Sequence, residues 1–274
     1  MIELPESQTL AKQLAAAFLG QRVVEVIAGQ APHGLAWFSP QPADFPGLLS
    51  GQTLQATHSW GGQTELVLGE MHLVFNDGVS PRYLAPDQPA PAKQQLFLRF
   101  EDGSGFYCTV RMYGGLVIYP LGQTDSIYYR AARDKPSPLE PEFDREYFQR
   151  LVEEAGGGLS TKALLATEQR IPGLGNGVLQ DILFEARLHP QRKLRDLNDQ
   201  DLENLYQSIR TTLAAMTEQG GRDVEKDLYG QPGGYRTLLT SKTKGQPCPV
   251  CGQPIEQKAY LGGNIYFCPK CQLL

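Results

Sequence analysis

Four of the five cysteines in this 274-residue chain lie in its last 27 residues, as Cys248-Pro-Val-Cys251 and Cys268-Pro-Lys-Cys271. A CxxC knuckle presents two thiolates at neighbouring vertices of a tetrahedron, so two knuckles close a four-sulfur zinc shell. Sixteen residues separate them, of which Ala259 to Phe267 read as a β-hairpin around Gly262-Gly263. Four protein sulfurs leave no position for a metal-bound water, so the expected Zn2+, one ion, is structural and the metal is not assigned to catalysis. A redox dithiol is the competing reading, but it needs only one CxxC. Cys108 stands alone in an apolar run and reads as a small buried side chain.

The second chemical feature is Ile171-Pro-Gly-Leu-Gly-Asn176, set between two helical patterns. Its glycines allow a tight turn, and Asn176 is suited to cap the next helix, whose free backbone amides would face an anion such as a DNA phosphate. Alone, the segment reads more readily as a bare turn. A zinc hairpin downstream shifts the balance toward nucleic acid. His33, His58, His72 and His189 are scattered, and His189, followed by Pro190, reads as structural. Glu168 and Asp181 read as solvated or capping residues, and Trp60, in a glycine-flanked loop, either stacks on a base or packs at a rim.

These residues need a frame, and the hydrophobic periodicity describes an α+β chain. Residues 5 to 19 place Leu10, Leu14 and Phe18 on one helical stripe, with Pro5 suited to the first turn and Gly20 to the stop. From Arg22 to about Tyr129, short apolar or alternating runs such as VVEVIA, LFLRF and FYCTV predict a mostly antiparallel sandwich or barrel. The proline-rich, charged stretch from Ala131 to Asp144 reads as a linker. Helices are expected at 145–155, 160–169, 176–187 and 199–219, the last carrying a stripe of Leu202, Leu205, Ile209, Leu213 and Met216. The domains are therefore expected at 1–130, 145–235 and 236–274, joined through 131–144.

The formal charge of -5 argues against a generally basic nucleic-acid coat. Yet Arg236, Lys242, Lys244, Lys258 and Lys270 oppose only Glu256 in the last segment, a local patch able to meet phosphate. No signal peptide or membrane-length apolar run is seen, so a cytoplasmic, nucleoid-associated monomer is expected, with no membrane partner.

The N-terminal Glu3-Leu4-Pro5-Glu6 helix, the β-rich region, PGLGNGVLQDILFEARLHP and the CPVC…CPKCQ hairpin together resemble the formamidopyrimidine-DNA glycosylase / endonuclease VIII family over essentially the whole chain. The resemblance implies a β-sandwich lobe, a helix-two-turn-helix lobe and a zinc-finger hairpin. The implied partner is DNA, double-stranded with a lesion or distortion, bent in the cleft while a damaged base is flipped out. By the same resemblance Glu3 is the catalytic carboxylate, Asn176 and Lys162 approach the DNA backbone, and Cys248, Cys251, Cys268 and Cys271 hold the metal. Arg111, Met112 and Tyr113 stand where the family has an Arg-Arg-Phe run that fills the gap left by the flipped base.

Three departures accompany these matches. The family begins Met-Pro-Glu, and the proline amine exposed after methionine removal attacks the sugar C1′. Here Ile2 occupies that place, and a bulky second residue is expected to keep Met1 on the chain. The Gly-Lys pair of a β-domain hairpin is replaced within Trp60-Gly61-Gly62-Gln63, and the zinc-hairpin arginine falls on Gly263. The pattern predicts a repair glycosylase that hydrolyses the N-glycosidic bond with Glu3 and without the Schiff-base lyase step. A non-catalytic protein that recognises damaged or distorted DNA on the same scaffold is the alternative, and a different nuclease or lyase chemistry in the same cleft is a third reading.

Overall fold

The computed structural model describes residues 1–120, 122–123 and 126–274. Helix α1 (Leu4–Phe18) begins where the proline of its first turn needs no backbone donor, and the Glu6 carboxylate accepts from the Glu3 amide at 3.2 Å. Leu10, Leu14 and Phe18 are buried as the stripe requires. The strands that follow are β1 (Val23–Ala28), β2 (Ala36–Ser39), β3 (Leu54–Trp60), β4 (Gln63–Leu68), β5 (Met71–Asn76), β6 (Val79–Leu84), β7 (Leu96–Phe100), β8 (Gly105–Val110) and β9 (Gly114–Pro120). They form a four-stranded antiparallel sheet, β1-β7-β8-β6, and a five-stranded sheet, β2-β9-β5-β4-β3, in which only β2 runs parallel to its neighbour. One apolar core joins α1 to both sheets, with Phe18 stacked on Phe100 at 4.4 Å between ring centroids. Each such aromatic buried stabilises the fold by about 1.5–3 kcal/mol. The expected sandwich is present, with one addition: α2 (Phe45–Leu49), too short and too rich in Pro and Gly to show a period, is anchored by the buried Phe45 and Leu49.

Helix α3 (Ile127–Asp134) packs on the β lobe through Tyr129, and the second lobe contains α4 (Arg145–Ala155), α5 (Thr161–Ala166), α6 (Val178–Glu185) and α7 (Asp199–Glu218). Asp144, Ser160 and Asn198 cap α4, α5 and α7 by accepting from backbone amides three residues on. Helix α3 takes its last turn from the stretch expected to be linker. Helix α5 is shorter than expected: Thr167 is extended, and Glu168 and Gln169 follow with positive φ of 57° and 49°. Leu164, Leu183, Ile209 and Leu213 are fully buried in a second core.

Strands β10 (Glu256–Tyr260) and β11 (Gly263–Phe267) form the C-terminal hairpin, turned by Leu261-Gly262 with φ of 48° and 73°. A third small core, including Phe184, Leu239, Ile255 and Tyr266, seats it on the helical lobe. The loop after α7 returns to the β lobe, where Leu228 is buried in the first core and the Asp227 carboxylate accepts from Gln13 at 2.8 Å. No helix among the described residues is long and apolar enough to cross a membrane.

Candidate active-site cleft

Between the two lobes lies a cleft of about 630 Å³, and the start of α1 forms part of its wall. The chain is pinned there by two backbone bonds. Ile2 N donates to Asp77 O at 2.6 Å, and Leu4 N donates to Gly173 O at 3.0 Å. Glu3, between them, turns its carboxylate onto the beginning of α6: it accepts from Gly177 N at 2.8 Å and from Val178 N at 2.7 Å. The first amides of a helix lack intrahelical partners and carry partial positive charge, so a carboxylate is a natural cap for them. Here the cap comes from the other lobe, 174 residues away in sequence. The amides expected to meet a phosphate are therefore already occupied, and Asn176 makes no capping bond to α6.

The glycines of this turn are required by that contact. A Cβ at Gly175 would lie 2.5 Å from Glu3 Oε1, and one at Gly177 would run into the Arg222 guanidinium. Arg222, 2% exposed, sits between two buried carboxylates: Nη1 is 3.4 Å from Glu3 Oε2, while Nε and Nη2 each donate to Glu6 at 2.9 Å. Burial opposes the guanidinium's charge, but Glu3 and Glu6 outweigh it and push its pKa above the ordinary arginine value. Glu3 is 4% exposed, and burial raises its carboxyl above the usual range, with Arg222 and the two amides pulling the other way and Glu6 adding to the rise. A carboxyl whose pKa is raised in this way holds a proton more readily than an exposed glutamate does. The Met1 ammonium, at the same wall, is paired with Glu225 at 2.6 Å.

The zinc hairpin closes the other side. Asn176 Nδ2 donates to Asn264 O at 3.0 Å, and Gln180 bridges the two segments by donating to Asn264 O and accepting from Tyr266 N. Lys162 is buried, and its ammonium donates to Tyr260 O at 2.6 Å, tying α5 to the hairpin; burial lowers its pKa. Gly263 packs against Asn176, whose side-chain atoms would lie 3.3 Å from a Cβ there. At the hairpin's base, the sulfurs of Cys248, Cys251, Cys268 and Cys271 all lie within 4.8 Å of one another, with Cys248–Cys271 at 3.9 Å and Cys251–Cys268 at 3.4 Å. Zn–S bonds of about 2.3 Å in a tetrahedron put sulfurs about 3.8 Å apart, so the cluster fits one such ion.

Glu3, Lys162, Asn176 and Tyr113 thus line one cleft, with the hairpin turn Leu261–Gly263 at its edge. Arg111, Met112 and Tyr113 form the exposed turn between β8 and β9, with Met112 at a φ of 63°. Trp60 is turned away from any base, because its indole N–H donates to the buried Glu65, which also accepts from Tyr129 at 2.8 Å and is paired with His72. Asp181 is also internal, accepting from Leu238 N and Leu239 N at 2.9 Å each. Sequence reasoning missed Arg222, Glu6 and Glu225. The run Gly220-Gly221-Arg222-Asp223 carries no periodic signal, and only the fold brings it under α1.

The same chain matches the family models for the formamidopyrimidine-DNA glycosylase N-terminal domain over residues 1–117 and for the formamidopyrimidine-DNA glycosylase H2TH domain over residues 135–227. It is 31% identical to the formamidopyrimidine-DNA glycosylase of Symbiobacterium thermophilum, covering 99% of this chain and 89% of that protein. It is 32% identical to that of Methylococcus capsulatus, covering 99% and 100%. Among solved structures, the MutM (Fpg) protein of Thermus thermophilus superposes with a TM-score of 0.80 at 28% identity over 98% of each chain. The Lactococcus lactis Fpg bound to abasic-site DNA shares the fold, with a TM-score of 0.85 at 23% identity over 99% and 100% of the two chains.

Proposed function

The chain belongs to the formamidopyrimidine-DNA glycosylase family, and from that membership we propose how its own residues divide the work of a DNA-binding base-excision-repair glycosylase. Glu3 is the catalytic carboxylate. It takes a proton from the water whose oxygen bonds to the sugar C1′, the damaged base leaves with the electron pair of the broken N-glycosidic bond, and that proton is returned to the base, completing hydrolysis. The observation that carries this reading is the Glu3 carboxylate itself, held in the cleft against Gly177 and Val178 with Asn176 and the hairpin turn at the same wall. Arg222 is a positioning residue that keeps Glu3 and Glu6 together without reaching the substrate.

Asn176 and the hairpin grip the DNA backbone, with Lys162 holding the hairpin in place and contributing its charge. Arg111 and Tyr113 enter the duplex at the turn after β8, where the exposed Met112 supplies an apolar wedge. Cys248, Cys251, Cys268 and Cys271 hold one structural zinc ion, which would fix the hairpin's angle to α6 and take no part in the chemistry. In this reading the Met1 amine is not the nucleophile, because it is drawn to Glu225 at 2.6 Å and Ile2, in the place of the family's proline, is held in its bridge to Asp77.

Release of damaged bases from a panel of lesion-bearing oligonucleotides tests the assignment. Glu3→Gln should slow release by about 10²- to 10⁴-fold, the usual contribution of a positioned acid-base group. Equal release by parent and variant would remove Glu3 from the mechanism. Borohydride reduction on abasic DNA should trap no covalent complex, and a trapped complex would restore an amine nucleophile.

A further inference from the structure

The cleft is lined far more by aromatic rings than by positive charge. Among the described residues at its wall, Lys162 is the only basic side chain, and its ammonium is already bonded to Tyr260 O. Glu3 and Asp77 add carboxyl groups to the same surface. A site that grips DNA chiefly through phosphates needs several free cations, because each phosphate neutralised releases counterions and supplies the affinity. This surface offers flat faces instead. Trp37 stands opposite Gly115 in the β2–β9 pair, and its indole lies on the bare glycine backbone so closely that any Cβ would collide with the ring. One face is therefore covered while the side chain stays 43% exposed at the cleft. Tyr128, on α3, lines the same cleft and is 60% exposed. Trp60, in contrast, is turned inward by its bond to Glu65.

We propose that Trp37 and Tyr128 are stacking platforms for unpaired nucleobases, so that the cleft favours DNA with an unpaired stretch over the fully paired duplex of the same sequence. The inference rests on the glycosylase reading above and adds to it the state of the DNA that is bound. Every base has a π-face, so such platforms need no particular sequence, and a rigid indole seated on a strand loses little freedom when a base stacks on it.

The test measures binding of the full-length protein to a matched duplex, to the same duplex carrying a central bubble, and to a bubble whose unpaired positions are base-free tetrahydrofuran residues. The bubble should bind at least about tenfold tighter than the matched duplex. Trp37→Ala should erase that preference, Trp37→Phe should keep it, and the base-free bubble should bind the parent as weakly as the normal bubble binds Trp37→Ala. Should Trp37→Ala fail to fold, Tyr128→Ala, on an exposed helical position, provides the same readout. Equal affinity for bubble and matched duplex, unchanged in the variants, would overturn the stacking inference while leaving the glycosylase reading intact if lesions are still released. No binding to any of the three DNAs, together with no base release from the lesion panel, would overturn both.

Discussion

Replacing Arg222 by Met isolates the contact on which the cleft wall depends. Methionine keeps much of the apolar stem but removes the charge. The guanidinium sits 3.4 Å from Glu3 and makes two 2.9 Å bonds to Glu6, and all three side chains are buried. Breaking a buried ion pair by deleting one partner costs about 3–5 kcal/mol, because the remaining charge is left without compensation. Here two carboxylates are left, so the loss at pH 8 should reach the upper end of that range.

The pH dependence then follows from sign. Burial already raises the Glu3 carboxyl, and Arg222 opposes that rise. Without Arg222 the folded-state pKa climbs further. A carboxyl with a raised folded pKa contributes stability at low pH that is lost as pH rises through that value. The deficit of Arg222→Met should therefore be largest at pH 8 and shrink toward pH 5.5, and adding Glu6→Gln should recover part of it. Urea unfolding of parent, single and double variants at both pH values measures this. A deficit below about 1 kcal/mol, or one equal at the two pH values, would refute the reasoning, since a paired surface charge behaves that way.

Three further outcomes are expected. Burial raises Asp181 to about 6 against an ordinary value of 3.8, so its stabilising contribution is complete below the ordinary aspartate range and is lost as pH rises through about 6, by roughly 3 kcal/mol. The stability advantage of the parent over Asp181→Asn should accordingly fall between pH 4 and 7 in urea titrations, and a flat difference would contradict the assignment. Native mass spectrometry should find one zinc per chain, and chelation should raise proteolysis within residues 236–274 and abolish DNA binding, whereas a protected hairpin after metal loss would deny the ion its structural role. The logarithm of the DNA binding constant should fall with the logarithm of salt concentration at a slope shallower than about -6, and a steeper slope would mean more phosphate contacts than this cleft provides.

What could be read in the sequence was what neighbouring residues decide. The four cysteines were legible because ligand spacing is local, and the α1 stripe of Leu10, Leu14 and Phe18 because helical periodicity is. The end of α5 was not, since Lys162 to Gln169 is a good helix former by composition, yet the chain turns extended at Thr167 and left-handed at Glu168 and Gln169. Nor was α3, whose Ile127, Tyr128 and Tyr129 are good strand formers and become helical behind the Ser126 cap. The glycines around Asn176 illustrate the limit most directly. As a sequence they described a tight turn with amides free for an anion. In the fold, Gly175 and Gly177 make room for Glu3 and Arg222, and the anion at those amides is the protein's own. A motif shows that a backbone must be approached closely, but the identity of the approaching group depends on contacts between distant segments. The same reasoning applies at Gly263 and Gly115, where a missing side chain marks a neighbour, Asn176 in one case and Trp37 in the other, that occupies the space.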